Sequence, residues 1–141
     1  MFDLNLILPA TVLGISRLSD IPGNLRLLFS KNTNDKASVF AGSIFSLAAL
    51  SGYDTVVHRR DELGLQGDVF LVSSRIAYQQ PALSDLFTRS ETVDDLVLTR
   101  RANHKMSVRV KVFSQVDGKR CASFEGVYVM KSPSPGSAVQ I

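Results

Sequence analysis

Residues 32–51, NTNDKASVFAGSIFSLAALS, constrain this chain more than any other segment. A polar loop of Asn, Asp, Lys and Ser runs into a stretch built almost wholly of apolar and very small residues. From Val39 the apolar pattern continues through Val57, too long for a strand, and reads as a helix. A helix apolar on every side must be wrapped by the rest of the protein. Arg59 and Arg60 suit the negative end of its dipole, and Gly64 follows the last turn. At the other end, a buried helix start presents unpaired backbone N–H groups and the positive pole. That arrangement stabilises a developing negative charge.

The 141 residues, 45% hydrophobic and 21% charged, suffice for one core. We expect a single domain over residues 1–131 and a mobile Ser- and Pro-rich tail over 132–141. The net charge of +3 fits either a slightly basic surface or an acidic partner. No basic run is interleaved with aromatics and Trp is absent, so nucleic acid is not an expected partner. The apolar run in residues 1–10 is too short to span a bilayer and lacks a basic flank or cleavage site, so no membrane partner is expected. With Cys121 as the lone cysteine, the expectation is a cytoplasmic, disulfide-free protein. His58, His104 and Cys121 are too few for a zinc centre, and no metal is expected.

Around the helix the pattern is β. Residues 4–11 read as a helical turn ended by Pro9. Two short strands, 13–19 and 25–30, flank the turn signal Ile21-Pro-Gly-Asn24. After the helix, Asp68–Tyr78 reads as a strand with Phe70, Val72, Ile76 and Tyr78 on one face, apolar on the other as well. Residues 85–92 read as a shorter strand and 93–100 as a helical turn. In 104–115, Met106, Val108, Val110 and Val112 alternate inward against Ser107, Arg109 and Lys111. Asp117-Gly118 turns the chain into a last strand with Ala122, Phe124, Gly126, Tyr128 and Met130 on one face. One helix cannot cover both faces of a sheet. The economical solution is an α+β fold in which a curved antiparallel sheet of five to six strands wraps one central helix. Small residues would let the sheet approach closely. Gly42 and Gly52, each costing ~1 kcal/mol in a helix, serve packing or a site.

These residues resemble a known family. A sheet wrapped round a long helix is similar to the hotdog fold of acyl-thioester enzymes. Asn-x-Asn-Asp-Lys-x-x-x-Phe-Ala-Gly-Ser, ending at Ser43, resembles the thioesterase-like family found as the C-terminal domain of YiiD proteins. Gly67-Asp68, the residues 75–78 before Pro81, and Phe124-x-Gly126-x-Tyr128-Val129 fit that family too, so the likeness spans about residues 8–131. The resemblance implies a homodimer or tetramer with the acyl thioester between subunits and an oxyanion hole at the helix start. It implies acyl-CoA or acyl carrier protein as substrate and partner, with no separate cofactor. It also implies two reactions: acyl-thioester hydrolysis, placed first, and decarboxylation of malonyl-carrier protein to begin fatty acid synthesis. A non-catalytic acyl-binding or scaffolding domain is the alternative from another class.

Phenylacetyl-CoA-type thioesterases carry a His before the paired glycines and an acid after the Leu-Ala of the helix; here Phe40 and Ala49 stand there. A general acid or base supplies ~10²–10⁴ in rate, and an oxyanion donor ~10²–10³. Decarboxylation needs an enolate stabiliser but no base to activate water. Asn34, Asp35 and Ser43 are the catalytic candidates. Asn34 either holds a carbonyl or water, or makes an Asx-turn. Asp35 is either a base or a partner of Lys36. Ser43 donates to substrate from the first turn, or simply packs. Phe40, Ala41, Gly42, Ser46 and Tyr78 are the substrate-binding and oxyanion candidates, with the donor expected at the Gly42 or Ser43 N–H. For Ser46 a bond back to its own helix is the competing role.

Overall fold

Strict alternation in the last two long strands sets the concave face on which everything else is built. Met106, Val108, Val110 and Val112 on one strand, and Ala122, Phe124, Tyr128 and Met130 on the next, are all at most 1% exposed. The computed structural model describes residues 2–131. Six strands form one antiparallel sheet: β1 (Ile15–Arg17), β2 (Leu25–Leu27), β3 (Asp68–Tyr78), β4 (Leu86–Leu98), β5 (His104–Ser114) and β6 (Arg120–Lys131). Their order is β1-β2-β4-β5-β6-β3, and the sheet curls around the long helix α2 (Ala41–Glu62). The tail, residues 132–141, lies outside the described residues, and no helix among them is long and apolar enough to cross a membrane.

α2 is buried on most sides, with Leu47, Ala48, Ser51 and Val56 fully inaccessible. It ends as expected, with Arg59 and Arg60 in the last turn and Gly64 at φ +67° beyond it. Gly52 is explained by Tyr128. The Tyr128 hydroxyl reaches the helix backbone, donating to the Ala49 carbonyl at 2.6 Å. A Cβ on Gly52 would stand 2.9 Å from the ring's Cε1 and Cζ, and closer still to the oxygen.

The β1–β2 hairpin turn is docked on the same helix. Asn24 N–H closes the turn on the Ile21 carbonyl at 3.1 Å, with Pro22 and a left-handed Gly23 (φ +80°) in the central positions. Gly23 N–H donates to Asp54 Oδ2 at 2.8 Å, and its carbonyl accepts from Ser51 at 2.5 Å and Thr88 at 2.7 Å. Asp54, 3% exposed, also takes Arg17 in a two-pronged ion pair at 2.8 and 2.6 Å.

Four readings from the sequence need correction. Pro9 does not end a helical turn: it sits in the first turn of a short helix α1 (Leu8–Val12), where its missing N–H costs nothing. β1 and β2 are three residues each, because the flanking residues are taken up by turns and by a 3₁₀ turn over Phe29–Lys31. Residues 93–98 are strand, not helical turn. β4 pairs β5 from Leu86↔Ser114 to Leu98↔His104, with irregularities at Asp94 and before Val97, and Arg59 of α2 clamps Asp95 at 3.0 and 2.9 Å. Finally, Phe70 and Val72 do not share a face with Ile76 and Tyr78. Leu71 pairs Tyr128 while Ser73 pairs Val127, so Val72 is an extra residue that reverses the alternation. Val69 and Leu71 face inward before it, and Ile76 and Tyr78 after it. Phe70 and Val72 are left 49% and 55% exposed on the free edge of the sheet.

Candidate functional site at the start of the central helix

The loop before α2 is organised by one side chain. Asn34 Oδ1 accepts the backbone N–H of Lys36 at 2.8 Å and of Ser38 at 3.1 Å, while Nδ2 lies 3.0 Å from Ser38 Oγ. Its backbone N–H bonds the Ser38 carbonyl at 2.8 Å. Asn34 therefore makes the Asx-turn, and one amide proton of its side chain has no partner among the described residues. The tight loop holds Ala37 in the left-handed region at φ +57°, a cost of ~1–2 kcal/mol that surrounding bonds must offset. Asp35 points into solvent, its side chain 82% exposed, with only Lys36 at 3.3 Å.

The loop leads into Phe40, whose N–H bonds the carbonyl of the buried Asn32 at 2.8 Å. Phenylalanine has no side-chain acceptor, so the helix start is uncapped by any side chain. The Ser43 N–H is taken by the Phe40 carbonyl at 3.0 Å, and the Ile44 N–H by the same oxygen at 3.2 Å. The donor expected at Gly42 or Ser43 therefore falls to Gly42, joined by Ala41: these two N–H groups have no partner among the described residues. The Phe40 ring, 57% exposed, folds back over Gly42, where a Cβ would stand 2.5 Å from ring Cε2. Gly42 is what lets the ring lie there.

Two more candidates meet at this point. Ser43 is 5% exposed and its hydroxyl makes no hydrogen bond among the described residues. Tyr78 arrives from the end of β3, its hydroxyl donating to the Ala41 carbonyl at 3.1 Å; desolvation pushes its pKa upward. Ser46, by contrast, spends its hydroxyl on the Gly42 carbonyl at 2.9 Å, inside its own helix. Sequence reasoning missed Asn32, whose side chain ties the loop to the Leu13 and Leu28 carbonyls at 2.7 and 2.8 Å. Its place beside a second Asn in Asn-Thr-Asn was the available signal. Cys121 is fully buried, and that burial raises its thiol pKa.

What this arrangement can do is bind an anion or a polarised carbonyl oxygen against two backbone donors and a helix dipole. Residues 14–132 match the YiiD_C family, described as "Putative thioesterase (yiiD_Cterm)". The fold superposes on "the putative thioesterase from Shewanella oneidensis" with a TM-score of 0.80 and 29% identity, covering 92% of this chain and 91% of that one. A thioesterase of Haemophilus influenzae gives a TM-score of 0.69 at 14% identity, with 94% and 92% covered. The E. coli PaaI protein from the phenylacetic acid degradation operon gives 0.69 at 16%, with 90% and 86% covered. With its curled six-stranded sheet around one long helix and a family match over most of its length, the chain belongs to the YiiD_C family of hotdog-fold, thioesterase-like proteins.

Proposed function

We propose that the protein is an acyl-thioester hydrolase acting on acyl-CoA or acyl carrier protein, with the start of α2 as its oxyanion site. The observation that carries this reading is the pair of N–H groups of Ala41 and Gly42, unpartnered among the described residues, with the Phe40 ring folded over Gly42. As the thioester carbonyl is attacked, its oxygen gains charge, and two fixed donors at the positive end of a 22-residue helix stabilise that charge without reorganising. In this scheme the Ser43 hydroxyl contacts the substrate, the free Asn34 amide proton orients the carbonyl or water, and Tyr78 holds the first turn through the Ala41 carbonyl. The acyl group brings its own coenzyme A or phosphopantetheine, so no further cofactor is invoked. A second copy joins through the free edge of β3, where Phe70 and Val72 are exposed, giving a cytoplasmic homodimer or tetramer with the site at the subunit boundary.

One feature favours a second reaction. No carboxylate or imidazole occupies the helix start: Phe40 and Ala49 stand where the phenylacetyl-CoA type resembled above carries His and an acid, and Asp35 faces water. Decarboxylation of a malonyl thioester needs no base. The C–C bond to the carboxylate breaks and carbon dioxide leaves. The electron pair passes into an enolate whose oxygen sits on the same two N–H groups, and a proton from water completes the acetyl group. A panel of acetyl, longer acyl and malonyl thioesters distinguishes the two. Free thiol release supports hydrolysis, and carbon dioxide with an acetyl product supports decarboxylation. Bound acyl chain with no turnover on any substrate refutes both and leaves an acyl-binding domain.

A further inference from the structure

The convex face of the sheet, opposite α2, carries charge in ordered cross-strand rows. One row reads Glu91, Arg109, Glu125, Arg75 across β4, β5, β6 and β3. Its charges alternate and its neighbours pair, at 3.3, 3.7 and 3.9 Å. This row is neutral. The two rows towards the other end of these strands are not. Arg26, Phe87, Phe113 and Arg120 stand side by side on β2, β4, β5 and β6, and Arg89 faces Lys111 in the row between. Among the described residues none of these four cations is paired with a carboxylate, and the buried Arg26 Nε has no hydrogen-bond partner. The Phe87 and Phe113 rings stack at 5.2 Å, and the Arg89 guanidinium lies 5.9 and 5.7 Å from their centres.

We propose that this surface docks an acidic protein, the carrier that delivers the acyl group, with Arg89 and Lys111 at its centre. The carrier's role as substrate rests on the function proposed above; the docking surface rests on the charge pattern. Four like charges around a fixed aromatic pair attract an acidic partner and set its orientation, and Arg and aromatic side chains are the residues that anchor protein interfaces. The rows span four strands, about 14 Å, which suits a protein face better than a nucleotide. A shallow hollow of about 350 Å³ beside Arg89 is rimmed by Leu18 and Ile21, which are 45% and 67% exposed, an apolar margin to the charged centre. The patch also lies at the same end of the sheet as the helix start: Tyr78, bonded to Ala41, pairs Ala122 just beyond Arg120. A flexible acyl-bearing arm has only to pass the connection between β3 and β4.

The test is a titration of the whole protein with a fluorescently labelled holo-acyl carrier protein, read by anisotropy. Binding should weaken as salt rises, and Arg89→Glu with Lys111→Glu should raise Kd at least about tenfold. Arg75→Gln, in the neutral row, should leave Kd unchanged. If the double variant melts early, Lys111→Glu alone carries the test, since Lys111 is not stacked on the rings. No binding, or equal binding by wild type and both charge-reversal variants, overturns the proposal; so does a single-stranded oligonucleotide that displaces the carrier. Turnover is measured separately on acyl-CoA. Patch-dependent binding without turnover sinks the active-site reading and keeps the docking surface, whereas turnover without patch-dependent binding does the reverse.

Discussion

Two glycines on one helix should respond oppositely to the same substitution, because what a new methyl group meets differs in its freedom to move. Alanine in place of a helical glycine is favourable by up to ~1 kcal/mol. At Gly52 the methyl would meet Tyr128 at 2.9 Å or less, and that residue is fully buried, held by β6 pairing and bonded to the Ala49 carbonyl at 2.6 Å. Overpacking there costs ~1–3 kcal/mol, and forcing the hydroxyl off its partner leaves a buried group unsatisfied for another ~1–3 kcal/mol. The net is a loss of about 1–5 kcal/mol, or about 4–18 °C in Tm at roughly 3.5 °C per kcal/mol. At Gly42 the methyl meets the Phe40 ring at 2.5 Å, but that ring is 57% exposed and free to swing outward. Gly42→Ala should therefore keep or raise Tm by up to ~3 °C. It should also lower turnover of any accepted thioester at least about tenfold, since the Gly42 donor loses the cover of the Phe40 ring. Calorimetry of the two variants beside a thiol-release assay provides the measurement. If both Tm values move in the same direction, the distinction drawn between the two contacts is wrong.

Asn34→Ala should cut turnover at least about tenfold, through both the lost amide proton and a loosened Ala37 loop, with Tm little changed. Full activity in that variant would make Asn34 a turn residue only. Asp54→Ala strands the Arg17 charge and the Gly23 N–H, and should cost about 3–5 kcal/mol in denaturant unfolding; a loss under 1 kcal/mol would show that the hairpin turn docks without its ion pair. The Arg59 guanidinium holds the Asp95 carboxyl below its usual range. A lowered folded-state pKa contributes stability above the unfolded value, near 3.8, and that contribution disappears as pH falls through the folded one. An acid titration of Tm should therefore steepen below about pH 4, and Asp95→Asn should flatten part of that limb.

Where one residue type dominated its surroundings, sequence alone was enough. The long apolar run at 39–57 and the Val and Met alternation in β5 each pointed to one element and are found as such. Asp117-Gly118 marked the reversal, but it lies in a longer loop between Ser114 and Arg120 with only Gly118 left-handed, because Ser114 N–H closes on the Lys119 carbonyl. The residues meeting at the helix start were legible mainly through family likeness. That Tyr78 lies 3.1 Å from Ala41, 37 residues away, is a product of sheet curvature that no local pattern encodes. Residues 93–98 misled because their acids suit a helical turn. What keeps them extended is pairing with β5 and the distant Arg59, both non-local. The cationic rows on the convex face escaped notice for the same reason. Arg26, Phe87, Phe113 and Arg120 come from four separate strands, and only the register brings them into line.

Val72 has a consequence larger than its size. By inserting a single step into β3, it gives one ribbon two unrelated duties. The half before it turns Phe70 outward, ready to meet a neighbour, and the half after it turns Tyr78 inward to tend the helix tip. In the dimer proposed above, association and chemistry would thereby be wired to a common rod. A shift of the rod at the subunit boundary would be felt at the reacting end without any hinge between them.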